Sequence, residues 1–197
     1  MNRPRLLAAL LLAACVAASP LLAFGQSASP PSADDAALRR QIADQYAQIS
    51  AAFRRKDARG MMAFAAPNFQ AKVPDGRTLN RDEAQQNLQQ NVDALRTIRE
   101  NRYTLDKLTR RGASTVVCHV TEHFNVVFND TRGEFGTLGK SHNVVGKTTY
   151  RDVWTAPNTP TGDAPASWQM TRSEMMSTQI RLDGRRYRPS RTRPKRI

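Results

Sequence analysis

The chain has 197 residues, with 30 Lys and Arg against 17 Asp and Glu, and a formal net charge of +13. That length accommodates one ordinary domain after a targeting segment is set aside, and hardly a second. With only two cysteines in the chain, a multi-disulfide framework is excluded as the source of stability.

The N-terminus has the pattern of an export signal. Arg3 and Arg5 supply a positive start, and the apolar stretch Leu6–Ala18 is too short to span a bilayer comfortably. Small residues follow, and we expect cleavage after Gly25. The sequence thus predicts a periplasmic or secreted protein, with residues 1–25 as signal peptide.

Two other fates of this segment are open. Leu12, Ala13 and Ala14 before Cys15 fit the box that precedes a lipid-modified cysteine, and an uncleaved anchor is a further alternative. With Cys15 set aside, Cys118 is the one remaining cysteine, so no intrachain disulfide is expected.

The positive charge is concentrated at the two ends of the chain. Two of the thirteen net charges lie in the signal segment and seven follow Gly184, which leaves four for residues 26–184. We expect residues 185–197 to be a disordered basic tail that favours anionic membrane surfaces. A solvated tail without a dedicated partner is the alternative, and no nucleic-acid partner is expected outside the cytoplasm.

Helical periodicity follows a flexible linker over residues 26–35. Apolar residues then recur every three or four positions, which predicts an amphipathic helix; they are Leu38, Ile42, Tyr46, Ile49 and Phe53. A second, shorter helix is predicted to begin at Asp57 and to stop near Pro67, because proline disfavours helix in the residue before it.

A short hairpin and a third helix come next. Strands at Phe69–Val73 and Arg77–Leu79 flank a Pro-Asp-Gly turn. Asn80 and Glu83 form a capping box, and the buried stripe of the third helix is predicted to extend to Ile98. That stripe consists of Ala84, Leu88, Val92, Leu95 and Ile98.

From Tyr103 onward the composition is typical of strands. The predicted strands are Tyr103–Thr109, Thr115–Phe128, His142–Thr155 and Trp168–Leu182, with a long loop at 156–167. Consecutive strands joined by loops predict an antiparallel, strongly curved sheet with the helices against one face, an α+β fold.

Several segments resemble a known family. They are Tyr46–Asp57, Met61–Phe69, Tyr150–Trp154 and Trp168–Met170. Residues 36–184 resemble the nuclear-transport-factor-2-like (NTF2-like) superfamily, in its SnoaL-like and ketosteroid-isomerase-like branch. The resemblance implies a cone-shaped curved antiparallel sheet wrapped around three N-terminal helices, with a pocket between them and a habit of dimerising. It leaves function open, because this fold hosts isomerases, cyclases, dehydratases and non-enzymatic binders.

Glu122 is a candidate functional residue on strand parity alone. It shares one face of its strand with six apolar residues, where an unpaired carboxylate is costly. Those residues are Val116, Cys118, Val120, Phe124, Val126 and Phe128. A strand bulge or a pocket mouth that lets Glu122 reach water is the alternative.

Asp152 is the second candidate, and it rests on the resemblance. In ketosteroid isomerases the matching aspartic acid donates a hydrogen bond to the developing oxyanion. However, the family's helix-one tyrosine falls at Ile49 and its general-base aspartate at Val73, so an isomerase mechanism lacks its base. A structural role for Asp152, bonding backbone or Tyr150, is the alternative.

A ligand pocket is the main functional hypothesis. Its expected lining is aromatic, with Glu122 and Asp152 as polar points; the aromatic residues are Tyr46, Phe53, Phe64, Phe124, Tyr150, Trp154 and Trp168. We expect a small, mostly apolar ligand and a likeness to domains without assigned function. The alternatives are an enzyme of isomerase, dehydratase or cyclase type, with Asp152 or Glu122 as acid or base, and a dimerising interaction module.

Neither a metal nor a cofactor is expected. His119 and His123 lie on the face opposite Glu122, and four residues along a strand separate them by about 13 Å, too far to share an ion. On the last strand, alternation places Arg172 and Glu174 on one face with Met170, Met176 and Ile180, as a pair in the pocket or at its rim.

Overall fold

The computed structural model describes residues 33–130, 138–156 and 168–187. The signal segment with Cys15, the linker up to residue 32, most of the loop at 156–167 and the tail beyond residue 187 lie outside these ranges. In the described ranges, no helix is both long and apolar enough to cross a membrane.

Three helices precede most of the sheet, and two of them are substantial. They are α1 (Ala33–Arg54), α2 (Ala58–Met61) and α3 (Arg81–Asp93). The α1 stripe is confirmed, since Leu38, Ile42, Tyr46 and Ile49 are all buried. The capping box of α3 is also confirmed, because the Asn80 side chain accepts from the Glu83 N–H and Glu83 bonds back to the Asn80 N–H.

The second helix is shorter than predicted. Asp57 caps it by accepting a hydrogen bond from the Gly60 N–H at 2.8 Å, but the helix ends at Met61. Strand β1 (Ala65–Lys72) then begins, and Pro67 lies inside it. Proline is tolerated there because Pro67 falls in the register irregularity between Ala65 and Gln70, where regular ladder bonding is interrupted.

In the part of the chain that the structure describes, seven strands form one sheet. After β1 come β2 (Thr78–Asn80), β3 (Leu95–Arg110), β4 (Thr115–Asn129), β5 (Ser141–Thr155), β6 (Gln169–Leu182) and β7 (Arg185–Arg186). The order is β2-β1-β6-β5-β4-β3, with β7 beside β6. The expected all-antiparallel sheet is therefore mixed, because β1 pairs parallel with β6, while the other pairs are antiparallel.

The third helix ends earlier than its apolar stripe suggested. Leu95 and Ile98, predicted on the helix, lie in β3 opposite Phe128 and Val126 of β4. Their spacing of three fits a helix; in β3 the register irregularity between Leu95 and Thr97 supplies the extra residue that brings both to one face. They pack against a buried cluster formed by Phe124, Val126, Phe128, Val144 and Ile180.

Two bulges in β6 change which of its residues face the helices. Asp152 pairs with Ser173 and Tyr150 with Met175, whereas the register shifts between Val153 and Trp154 and between Thr149 and Tyr150. Each bulge inserts one residue and reverses the alternation beyond it. Ser173 and Met175 therefore share the inner face with Met170 and Ile180. The prediction that Arg172, Glu174 and Met176 lie on one face with Met170 and Ile180 is wrong.

Both expected boundaries of the domain move outward. Helix α1 begins at Ala33, within the predicted linker, and Arg185 and Arg186 pair with β6 rather than starting a disordered tail. Tyr187 is partly buried, and its N–H donates to the Ile180 carbonyl.

Candidate functional site

A cavity of about 270 Å³ lies between the helices and the inner face of the sheet. Its wall is mostly apolar, and the polar side chains that reach it come mainly from β3, β4, β5 and β6. These polar side chains include Tyr46, Tyr103, Glu122, Tyr150, Asp152 and Ser173. Gly146 lets the Phe124 ring lie against the sheet, because a Cβ there would come within 2.7 Å of the ring.

Four of the seven expected aromatic residues line this cavity, namely Tyr46, Phe53, Phe124 and Tyr150. Phe64, Trp154 and Trp168 do not, which departs from the expected lining. Trp154 and Trp168 are buried core residues, and Phe64 packs against the same core. Trp154 is held there by donating its indole N–H to the Tyr46 hydroxyl at 3.0 Å, and the Trp168 carbonyl accepts from Gln45.

Asp152 lines the cavity and is 3% exposed. Its Oδ2 accepts a hydrogen bond of 2.5 Å from the Tyr46 hydroxyl, so α1 and β5 are joined through a buried pair. The Tyr46 ring also stacks on Tyr103, with ring centroids 5.5 Å apart. The partner of Asp152 is therefore Tyr46 rather than Tyr150.

Burial controls the ionisation of Asp152. Desolvation raises its pKa from 3.8 to about 6, although the hydroxyls of Tyr46 and Ser173 act in the opposite direction. Its second oxygen, Oδ1, is buried and has no hydrogen-bond partner within the described part of the chain. A buried carboxyl group that lines a cavity and has a pKa of about 6 can bind or release a proton near neutral pH.

Glu122 is equally buried, at 6% exposed, but both of its oxygens are occupied. Asn101 Nδ2 donates to Oε1 at 2.6 Å, and the Tyr150 hydroxyl donates to Oε2 at 2.7 Å. Desolvation raises the pKa of Glu122, while these two groups and Tyr103 lower it. The pairing of β4 with β5 has no register shift, and the irregularities in its pairing with β3 lie in β3, so a bulge in β4 does not explain this buried carboxyl.

The parity prediction for β4 is confirmed. Every second residue from Val116 to Phe128 is buried, and His119 on the opposite face is exposed. Within the described ranges, no group of three potential metal ligands occurs. His142, on β5, pairs with Asp183 at a distance of 2.7 Å.

The positions matched to isomerase residues remain apolar in the fold. Ile49 and Val73 both line the cavity, so neither supplies a hydroxyl or a base. The tyrosine that reaches Asp152 is Tyr46, about one helical turn before Ile49. Glu174 and Arg172 are absent from the cavity wall, and Glu174 pairs with Lys72 at 2.8 Å on the outer face.

Several polar residues of the site were not predicted from the sequence. Asn101 and Tyr103 were assigned only to a helix–strand connection or a strand, although both act on Glu122. Ser173 was hidden by the β6 bulges. A usable signal for Asn101 and Tyr103 was their alternate spacing, since residues two apart on a strand share a face.

Replacing Tyr46 with Phe should raise the pKa of Asp152 above its present value of about 6, because the Tyr46 hydroxyl stabilises the ionised carboxylate. Carbon-detected NMR titration of the Asp152 carboxyl measures this directly. Tyr150→Phe is the matched control, since its hydroxyl serves Glu122. An unchanged Asp152 pKa in Tyr46→Phe would contradict the assignment.

Comparison with known proteins gives a fold and nothing finer. No protein-family model and no curated protein matches the chain. Solved structures that match it include an NTF2-like protein from Cytophaga hutchinsonii, at 13% identity and a TM-score of 0.51 over 71% of this chain and 97% of that one.

Two further structures agree. An NTF2-like protein of unknown function in nutrient uptake from Rhodospirillum rubrum is 13% identical, with a TM-score of 0.50 over 68% of this chain and 95% of that one. A candidate scytalone dehydratase from Novosphingobium aromaticivorans is 11% identical, with a TM-score of 0.52 over 80% and 96%.

Proposed function

We propose that this chain, whose fold is NTF2-like, binds a small, mostly apolar ligand in the cavity between its helices and its sheet. The sheet is proposed to curve into the cone typical of this fold, with the cavity inside it. The observation that supports the proposal is a space of about 270 Å³ with a mostly apolar wall and two buried carboxyl groups. Such a concave site with few polar points is typical of small-molecule binding.

The two buried carboxyl groups of the cavity are suited to orienting a ligand. Folding has already removed Asp152 and Glu122 from water, and Tyr46, Asn101 and Tyr150 hold them in place. A ligand group that bonds to Asp152 therefore meets a pre-organised partner, which reduces the entropic cost of binding.

Neighbouring methionines provide the test. Met175 lines the cavity, whereas Met176, its neighbour on the bulged strand, is 55% exposed. With pentylbenzene as probe, Met175→Trp should abolish the heat of binding measured by titration calorimetry, because the indole fills the space. Met176→Trp should bind as the wild type does. Equal binding by both variants would contradict the proposal.

An acid–base enzyme is the second candidate, and the ionisation of Asp152 favours it. A carboxyl with a pKa of about 6 beside a cavity can accept and return a proton at neutral pH. Glu122 is less suited, since both of its oxygens already accept hydrogen bonds. An isomerase, dehydratase or cyclase would use Asp152 in this way.

Deuterium exchange tests this second candidate without a known substrate. The wild type should accelerate exchange at the carbon beside the carbonyl of phenylbutanone, with a rate that rises as the pH passes through about 6. Asp152→Asn should exchange at the rate of buffer. Exchange at the buffer rate in the wild type at every pH would contradict a catalytic role for Asp152.

Export, dimerisation and membrane contact of the basic tail stay predictions from sequence. Export rests on the leader pattern of residues 1–25, and the tail interaction on its seven positive charges. A homodimer would use the outer face of the sheet, which carries His119 and the exposed Met176.

A further inference from the structure

The charged side chains that line the cavity are all of one sign. Among its lining residues in the described chain, Glu122 and Asp152 carry carboxyl groups, and no Lys, Arg or His is present. The remaining wall is apolar or aromatic apart from hydroxyls and amides. An occupant with a negative group would therefore meet repulsion without any compensating cation.

The two carboxyls differ in what they can still bind. Both oxygens of Glu122 are occupied by Asn101 and Tyr150. Asp152 uses Oδ2 for Tyr46, and its Oδ1 is buried and makes no hydrogen bond among the described residues, although the Ser173 hydroxyl lies near the carboxyl and lowers its pKa. A buried acceptor left in this state costs free energy that a donor from an occupant would recover.

Aromatic rings line the same cavity. Tyr46 and Tyr103 are stacked there, and Tyr150, Phe53 and Phe124 also line the wall. Aromatic faces attract cations, and more strongly where water is excluded. A positive group beside Asp152 would thus find both an ion-pair partner and favourable ring faces.

From these observations we infer that the ligand is an apolar amine, whose ammonium group donates a hydrogen bond to Asp152 Oδ1 while its hydrocarbon part fills the apolar cavity. The inference rests on the proposed function and names its ligand class. A neutral hydroxyl could also donate to Oδ1, but it would gain less, because a charge-assisted hydrogen bond is roughly twice as strong as a neutral one.

Binding should depend on pH in a defined direction. The groups that face Asp152 are Tyr46 from α1, Tyr103 from β3, Cys118 from β4, Tyr150 on its own strand and Ser173 from β6. Arg39 is the nearby cation, acting on Cys118. Burial raises the pKa of the three tyrosines and of Cys118, so these four stay neutral near pH 7. Burial also raises the pKa of Glu122, the second carboxyl of the cavity, so the pH dependence set by Asp152 is the part that Asp152→Asn removes.

The experiment compares phenylbutylamine, phenylbutanol and pentylbenzene, which differ in a terminal ammonium, hydroxyl or methyl group. Titration calorimetry on the full chain should show that the amine binds more tightly than pentylbenzene at neutral pH, by about tenfold or more. Its affinity should fall as Asp152 becomes protonated below about pH 6, while that of pentylbenzene stays constant.

Asp152→Asn keeps the size of the side chain and removes its charge. It should lower the ratio of the amine affinity to the pentylbenzene affinity about tenfold or more. Glu174→Gln, which removes a carboxyl on the outer face, is the control and should change neither affinity. Thermal melting of each variant checks that it is folded.

The possible failures are distinguishable. If pentylbenzene binds as tightly as the amine, or if Asp152→Asn leaves the amine advantage intact, the amine inference is overturned and the apolar-ligand function stands. If no probe binds, both are overturned.

Discussion

Trp154→Ala is expected to lower the free energy of unfolding by about 3–5 kcal/mol. Trp154 is fully buried in the core between α1 and the sheet. Its removal leaves a large void and also takes the indole N–H away from the Tyr46 hydroxyl. Urea denaturation followed by circular dichroism measures the loss.

Met176→Ala is the matched control for this experiment. Met176 is 55% exposed, and its removal should change stability by no more than about 0.5 kcal/mol. A Trp154→Ala variant as stable as Met176→Ala would show that the indole is not enclosed, and the described connection between α1 and β5 would be wrong.

The second large effect concerns pH and Asp152. The folded pKa of about 6 lies above the ordinary value of 3.8, so between these values the folded protein holds a proton that the unfolded chain has released. The stability that this group contributes is therefore complete below about pH 4 and is lost as the pH rises through about 6. Two pKa units correspond to about 3 kcal/mol.

Asp152→Asn removes this titration. Measured between about pH 4 and pH 7, the stability of the variant relative to the wild type should rise by about 3 kcal/mol. Comparing the two proteins at each pH cancels the contributions of all other titrating groups. A relative stability that does not change with pH would place Asp152 in contact with water.

Glu174→Gln should show the opposite sign and so serves as the control. The hydrogen bond from Lys72 lowers the pKa of Glu174, and its contribution is present above its ordinary pKa and lost as the pH falls. The Gln variant should therefore lose relative stability with increasing pH, not gain it.

Most helices and strands were predictable because their local signals agreed with their tertiary setting. The α1 stripe, the Asn80 capping box and the alternation along β4 each depend on spacing within one element. For Leu95 and Ile98 the local spacing favours a helix, but pairing with β4 overrides it, and a register irregularity brings both residues to one face. The sequence carries no local signal for that pairing.

The site was harder to predict than the fold. Glu122 was found because one charge on an apolar face is conspicuous, but its partner Asn101 lies on another strand. Arg172 and Glu174 were assigned to the wrong face because two bulges in β6 reverse the alternation. The bond between Tyr46 and Asp152 joins residues 106 apart, and only the folded chain brings them together.

We expect a small apolar molecule to occupy the space beside Asp152. A crystal structure of the chain grown with bromobenzene, with the bromine located by its anomalous scattering, tests this most directly. We predict a bromine position enclosed by Phe124, Met175 and Ile180. An interior filled by the protein's own side chains, with bromine bound only at the surface, would contradict the account.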